Sequence, residues 1–552
     1  MKSCLRLLSR GHVLLALVAL GACTGVDPAP CAGSACGNDA DAGAGEGGGP
    51  ASSGFEFTSA ASITLIQGSS IDIDLTVTRN AFDGPITASA SGLPAGVIPS
   101  PLVIAPGATS AKLTLSALAT AAQGPSNVML SASSADGAIH RERAASLLVR
   151  GPAGALDTTF GAAGKVLADV GATGIAVQAM VMQPDGRVLI GGQSDNDFAA
   201  VRLGMNGALD STYGANGVVT IDLKSASGVA STDTATGIAL TPSGQAVLGG
   251  YRANGGENTY GVVRLTSGGA PDPTFDGDGY ATPSFVLAGA LSEVAFGVGV
   301  QADGRILLAG SVMRGAAVPS EAIIARFKTN GALDDSFGIG PSGFFYGHSQ
   351  AGANDSCEAL TLARDGKILA ACGADDGGAH PVVMRLLANG QLDGAFGPKA
   401  GYSSIPLFGA TAHAFHELAD GRLLLTGETA DGQVFVVRLQ SDGTIDSSFA
   451  TNGTVLVKLA AKVVGARSAL DAAGHLVFAG GYGADGDLVI GRLDAAGKLD
   501  PTFGGGGFVV TPAGAPAVAS NARVAIANDG RIVATTNLAA APSKLFAVRV
   551  WP

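Results

Sequence analysis

The chain has 552 residues, of which 83 are Gly, 47% are hydrophobic and only 14% are charged. That mixture is too apolar for a disordered chain and too rich in Gly for long helices, and the length predicts more than one domain. A formal net charge of −12 with no basic run argues against nucleic acid as a partner.

The first 22 residues read as an export signal. Lys2, Arg6 and Arg10 form a cationic start, residues 13–20 are an apolar run, and Leu20-Gly21-Ala22-Cys23 closes it with small residues. The run is too short to span a bilayer as a mature helix. Leu-Gly-Ala-Cys resembles the lipobox of bacterial lipoproteins, which implies cleavage before Cys23, acylation of its thiol and a membrane held through the lipid. The expected location is the cell envelope, at the outer membrane or cell surface. Residues 23–54 carry almost no large apolar side chain and read as a flexible tether.

From Phe55 the texture changes to alternation, as in Ile71-Asp72-Ile73-Asp74-Leu75-Thr76-Val77. Period-two segments separated by Gly and Pro turns over residues 55–150 predict a small β-sandwich. Gly92-Leu93-Pro94-Ala95-Gly96-Val97, followed by Ala121-Ala122-Gln123-Gly124, resembles immunoglobulin-like modules of exported bacterial proteins, without their paired Cys and Trp.

Residues 151–552 repeat one sentence seven times. Its first phrase is LDTTFG at 156, then LDSTYG at 209, PDPTFD at 271, LDDSFG at 333, LDGAFG at 392, IDSSFA at 445 and LDPTFG at 499. The second is a turn, PDGR at 184 and its counterparts at 242, 302, 364, 419, 472 and 528, with Gly in the left-handed position of a hairpin. The third ends a strand on Arg: Arg202, Arg264, Arg326, Arg385, Arg438, Arg492 and Arg549. Each unit offers four strands: A after the first phrase, B before the turn, C after it and D ending in Arg. The expected fold is therefore all-β, a seven-bladed β-propeller of four-stranded blades preceded by the small immunoglobulin-like β-sandwich. The phrases resemble the delta-60 repeat family of bacterial surface and secreted proteins, which implies a propeller and no assigned activity. Whether the ring closes by strand exchange between the first and last units stays open.

A residue present in every unit is more plausibly structural than catalytic, because one active site needs its groups once. The recurrent Asp, including Asp210, Asp272 and Asp334, reads as a turn cap, and the aromatic after it as a wedge between blades. Arg202, Arg264 and Arg326 follow apolar residues and need partners; the next recurrent Asp lies eight residues on, so Arg/Asp pairs are expected. Of the six Cys, Cys4 leaves with the signal, Cys31 and Cys36 sit in the tether, and Cys357 and Cys372 flank the turn at 365. Pairing Ala363 with Lys367 places Cys357 opposite Gly373, one residue off register, which argues against a disulfide there.

No catalytic residue, cofactor or metal site is expected. Gly481 to Gly486 spells GxGxxG, but a strand follows it where a phosphate cradle needs a helix. His413 and His416 lie three apart, which on a strand sets the imidazoles on opposite faces. Asp276-Gly-Asp278 lacks the further ligands of a calcium loop. Recognition is expected on the variable end of the blades, where units two to four lengthen their A-to-B and C-to-D connections: Tyr251, Arg252, Glu257, Tyr260, Arg314, Glu321 and His348 are the candidate ligand face. Three functions stay open: a surface binding or scaffolding lipoprotein recognising an extracellular protein or glycan, a propeller hydrolase or lyase acting on carbohydrate or lactone, and a structural envelope protein. Carboxylates and imidazoles converging on the channel would favour the enzyme, and a broad aromatic patch would favour binding.

Overall fold

Alternation along residues 70–80 sends Ile73, Leu75 and Val77 inward and leaves Asp72, Asp74 and Thr76 in water, as a half-buried strand requires. The computed structural model describes residues 53–552 apart from 225–230, 255–256, 284, 286–291, 316–317, 340–341, 351–352 and 376–377. The signal, the tether, Cys23, Cys31 and Cys36 lie outside the described residues. The first 100 or so described residues form two sheets. One has the order Gly54–Thr58, Ser70–Asn80, Ser110–Ala117, Val97–Pro99; the other has the order Ser62–Ile66, His140–Arg150, Gly124–Ser134, Ile86–Ser91, Leu102–Ile104. Phe55, Phe57 and Leu113 from the first face Ile63, Val128 and Leu147 from the second in one core, which makes a β-sandwich.

The rest of the chain is a β-propeller. Among the described residues it holds seven four-stranded antiparallel sheets, with the short 3-10 turn Ala519–Asn521 as the only helical element. No described helix is long and apolar enough to cross a membrane. The sheet around unit one shows the pattern, in the order Ala176–Met182, Val188–Ser194, Asp197–Leu203, Val218–Ile221. These are strands B, C and D of one unit and strand A of the next, so unit and sheet are out of phase by one strand. The first phrase is the cause. It reverses the chain within a few residues, with Leu203 bridged to Leu209 and Asp210 N–H donating to the Arg202 carbonyl at 2.9 Å, and so lays strand A against the strand just before it.

The same offset closes the ring. Lys165–Asp169, strand A of unit one, pairs with Lys544–Val550, strand D of unit seven, and completes the last sheet. Each inner strand B also packs against the B strands of its two neighbours in cyclic order, unit seven against unit one included. The hydrophobic clusters span adjacent sheets: Val177, Ile190 and Val201 of one pack with Val533 and Ala547 of the other.

The B-to-C turns are uniform. Gly186, Gly244, Gly304, Gly366, Gly421, Gly474 and Gly530 all have φ between 82° and 85°, a conformation that a Cβ would strain. Ala363 pairs with Lys367 around one of these turns, its N–H donating to the Lys367 carbonyl at 2.9 Å. The register nevertheless shifts at Glu358, a β-bulge between Cys357 and Ala359. That extra residue brings Cys357 directly opposite Cys372, and the two are joined in a disulfide. The sequence expectation against this bond is corrected by one bulged residue.

Candidate functional site

Glu358 is one of a set. The B strands carry bulges at Gln178, Thr236, Phe296, Glu358 and His413, and the sixth skips both Gly465 and Ala466. A bulge re-aims a side chain and leaves its own amide unpaired. Here the re-aimed side chains meet on the axis. Gln178, Thr236, Phe296, Glu358, His413, Arg467 and Arg523, one from each B strand, line a cavity of about 410 Å³, with Tyr251 and Glu428 beside them.

The cavity is polar and densely charged. His413 Nδ1 lies 2.8 Å from Glu358 Oε2 and its Nε2 lies 3.0 Å from Glu428 Oε1. Carboxylates only accept, so both contacts are hydrogen bonds when both ring nitrogens carry protons. Glu428 is held in turn by the amides that the double bulge releases, Gly465 N–H at 3.2 Å and Ala466 N–H at 2.9 Å. Burial works to raise the Glu358 carboxyl, but His413, Arg467 and Arg523 together hold it below the usual carboxylate range.

Two guanidiniums complete the lining. Arg523 donates to the Gln178 carbonyl and, at 2.8 Å, to the Ala522 carbonyl; burial, with the adjacent Arg467 charge, pushes it well below its ordinary value. Burial lowers Arg467 as well, against the pull of Glu358 and Glu428. Arg467 Nη1 is buried without a hydrogen-bond partner among the described residues. A buried donor left unmade costs its desolvation, so this atom gains from any acceptor brought to it.

His416 goes elsewhere. Its Nε2 lies 2.8 Å from Ser468 Oγ, and burial lowers the imidazole to about 4. The two histidines share no site.

The recurrent pairs form at the other end of the sheets. Arg202, Arg264 and Arg326 reach Asp210, Asp272 and Asp334 at 2.8, 2.8 and 2.9 Å. Arg326 also donates to Ala388 O of the next unit at 2.6 Å and lies 4.6 Å from the Phe337 ring centroid. Arg549 repeats the contact with Asp157 at 2.7 Å across the ring closure.

The seven residues of the expected ligand face all sit at the opposite end from those pairs, but not as one surface. Tyr251 lines the axial cavity, Arg252 donates to the Lys224 carbonyl at 3.0 Å, and Glu257 is exposed. Tyr260 is 0% exposed, its ring edge-on to Phe285 with centroids 4.9 Å apart; it belongs to the core because the pleat turns it into the gap between sheets. Glu321 is also buried, at 4%, and pairs with Arg314, while His348 lies 3.6 Å from Glu321 and 3.5 Å from Asp355. These last residues are a compact ionic cluster between two sheets. The connections at 225–230, 286–291 and 351–352 lie outside the described residues.

Sequence reasoning passed over the axial set because it counted strands as unbroken ladders. A signal exists: 178, 236, 296, 358 and 413 each stand seven residues before the second residue of the turn, at 185, 243, 303, 365 and 420. Four of the five are polar, at a position where an unbroken ladder gives no reason for it.

Five stretches, 183–213, 241–275, 301–337, 363–396 and 418–449, match a β-propeller domain of unknown function, DUF5122. Each runs from a turn phrase to the following Asp-aromatic phrase, and together they support the β-propeller. No curated protein sequence matches the chain. Among solved structures, a protein of unknown function from Dyadobacter fermentans DSM 18053 is 9% identical with a TM-score of 0.37, covering 70% of this chain and 97% of that one. Prolyl oligopeptidase B from Galerina marginata is 12% identical with a TM-score of 0.39, over 66% of this chain and 47% of that one. A leech intramolecular trans-sialidase is 10% identical with a TM-score of 0.31, over 85% and 91%.

Proposed function

We propose that this chain is an exported lipoprotein anchored through Cys23, and that it binds a small carboxylate-bearing ligand, such as the acidic end of a glycan, in the axial cavity. In this reading an immunoglobulin-like module stands between the tether and a seven-bladed propeller of the delta-60 type. The observation that carries the ligand class is the pair of guanidinium side chains, Arg467 and Arg523, in the lining of the cavity, where Arg467 keeps one nitrogen, Nη1, without a hydrogen-bond partner among the described residues. A guanidinium fork matches a carboxylate in geometry and charge, and about 410 Å³ suits a ligand of sugar size.

The test is calorimetry of the detergent-extracted full-length chain against uronic acids and simple carboxylates, with the uncharged sugars as controls. Saturable binding of an acid, weakened about tenfold or more by Arg467→Met, is expected, since losing one charge-assisted bond costs roughly 1.5–3 kcal/mol. Indifference to Arg467→Met, or equal binding of the uncharged sugars, overturns the reading.

A further inference from the structure

A second polar cluster lies away from the axis, where three strands end. Asp197 opens strand Asp197–Leu203, Asp222 follows strand Val218–Ile221, and Asp233 is the second residue of Thr232–Leu240 in the adjacent sheet. The ladder pairs Phe198 with Ile221, so Asp197 and Asp222 face each other one position further on. Directly opposed like charges destabilise a sheet. Asp233 joins them, its N–H donating to the Asn196 carbonyl at 2.7 Å. One carboxylate oxygen from each of the three lies within 4.8 Å of the other two.

Asp233 carries the argument beyond a cluster of acids. Its side chain is 0% exposed. Oδ2 accepts the Leu223 N–H at 2.6 Å, whereas Oδ1 is buried with no hydrogen-bond partner among the described residues. The Ser231 side chain and the Arg252 charge favour the ionised carboxylate from nearby, but a charged oxygen withdrawn from water without a hydrogen bond is still costly. Arg252, opposite it in the ladder, attracts it without an ion pair: its Nη1 donates instead to the Lys224 carbonyl at 3.0 Å. No ion pair among the described residues reaches any of the three carboxylates.

We propose that Asp197, Asp222 and Asp233 bind a calcium ion that ties the ends of two neighbouring sheets together. Three carboxylates present hard oxygen donors only, the chemistry of calcium and magnesium rather than of zinc or copper. Ligands drawn from three separate strand ends suit the flexible, six-to-eight-oxygen shell of calcium better than the rigid octahedron of magnesium. The site is separate from the axial cavity, and its residues are not among those that line it.

The experiment uses the full-length chain in detergent, stripped with a chelator and then titrated with calcium or magnesium chloride, followed by calorimetry and by thermal unfolding. Calcium is expected to bind with a stoichiometry of one through this site and to raise Tm, with magnesium giving a smaller rise. Asp222→Asn, at an exposed position that leaves the fold intact, is expected to weaken calcium about tenfold or more and to suppress the Tm rise. It should leave the calcium-free Tm unchanged or higher, because it removes a like charge. Asp233→Asn should act in the same direction, and Asp278→Asn, in a turn outside the cluster, should do nothing. Absence of a calcium-dependent rise, an equal response to magnesium, or full retention of the response in Asp222→Asn overturns the proposal.

Discussion

Arg326 has its guanidinium shared among Asp334, Ser336 and the Ala388 carbonyl, above the Phe337 ring. Every bond of that set ties strand D to the turn after it or to the next unit, so the charge is buried where the blades meet and fully occupied. Arg326→Ala leaves Asp334 buried with only Arg305, at 3.1 Å, as its cation, and a loss of about 3 kcal/mol in unfolding free energy, the low end of the range for breaking a buried pair, is expected. Lys328→Ala, which breaks the exposed pair with Asp335 at 2.9 Å, should change it by less than about 1 kcal/mol. Equal losses in denaturant titration would show the Arg/Asp pair to be solvated. One half-buried and one buried titrating group, His416 and Glu293, set opposite pH slopes. His416, lowered to about 4, binds its proton more readily unfolded, so its contribution to stability is full above about 6.5 and is lost as pH falls towards 4. Glu293, raised by burial to about 7, binds its proton more readily folded, so its contribution is full below about 4.5 and is lost as pH rises through 7. Each is worth on the order of 2 kcal/mol, reduced by residual exposure. The parent chain should therefore vary little between pH 4.5 and 6.5. Glu293→Gln should reveal stability rising with pH over that interval and a higher Tm at pH 8, whereas His416→Asn should leave stability falling with pH. A flat Tm profile in both variants would refute the assignment.

At the scale of the element, two departures from a regular ladder decide what the repeats can do. Bulges in six of the seven B strands bring side chains onto the axis, where Arg523 of the regular seventh joins them, and the double bulge at Gly465 and Ala466 also frees the two amides that hold Glu428. The one-strand offset between unit and sheet makes Lys165–Asp169 the outer strand of the last sheet, so Lys544–Val550 is hydrogen-bonded on both sides. Removing residues 543–552 should then open the ring, expose the edges of Ile532–Leu538 and Lys165–Asp169, and give a protein that aggregates and unfolds at much lower temperature. Size-exclusion chromatography and a thermal scan of the truncated chain read both. A monomer with unchanged Tm would mean that the ring does not depend on this closure.

At the scale of the whole molecule, the sandwich and the propeller are joined by polar contacts around one side chain. Gln123 Oε1 accepts from Trp551 Nε1 at 2.9 Å and from Thr158 N–H at 2.8 Å. Trp551, the single Trp of the chain, is the residue after the strand that closes the ring, so ring closure and the seat of the sandwich meet at one place. The sequence by itself determined whatever depends on neighbours a few residues away. Period-two alternation gave the strands, Gly in the left-handed position gave the hairpins, and the spacing of eight between Arg326 and Asp334 gave their pairing, because all of these are local. Tertiary structure alone decided which strands share a sheet, where a ladder slips by one residue, and which side chains meet across the ring. Cys357 reaches Cys372 because of a single bulged residue between strands, and Glu358, His413, Arg467 and Arg523 come together from four different sheets. Such meetings depend on register summed around a closed ring, where one unpaired residue reverses the face of everything beyond it, and no short stretch of sequence contains that sum.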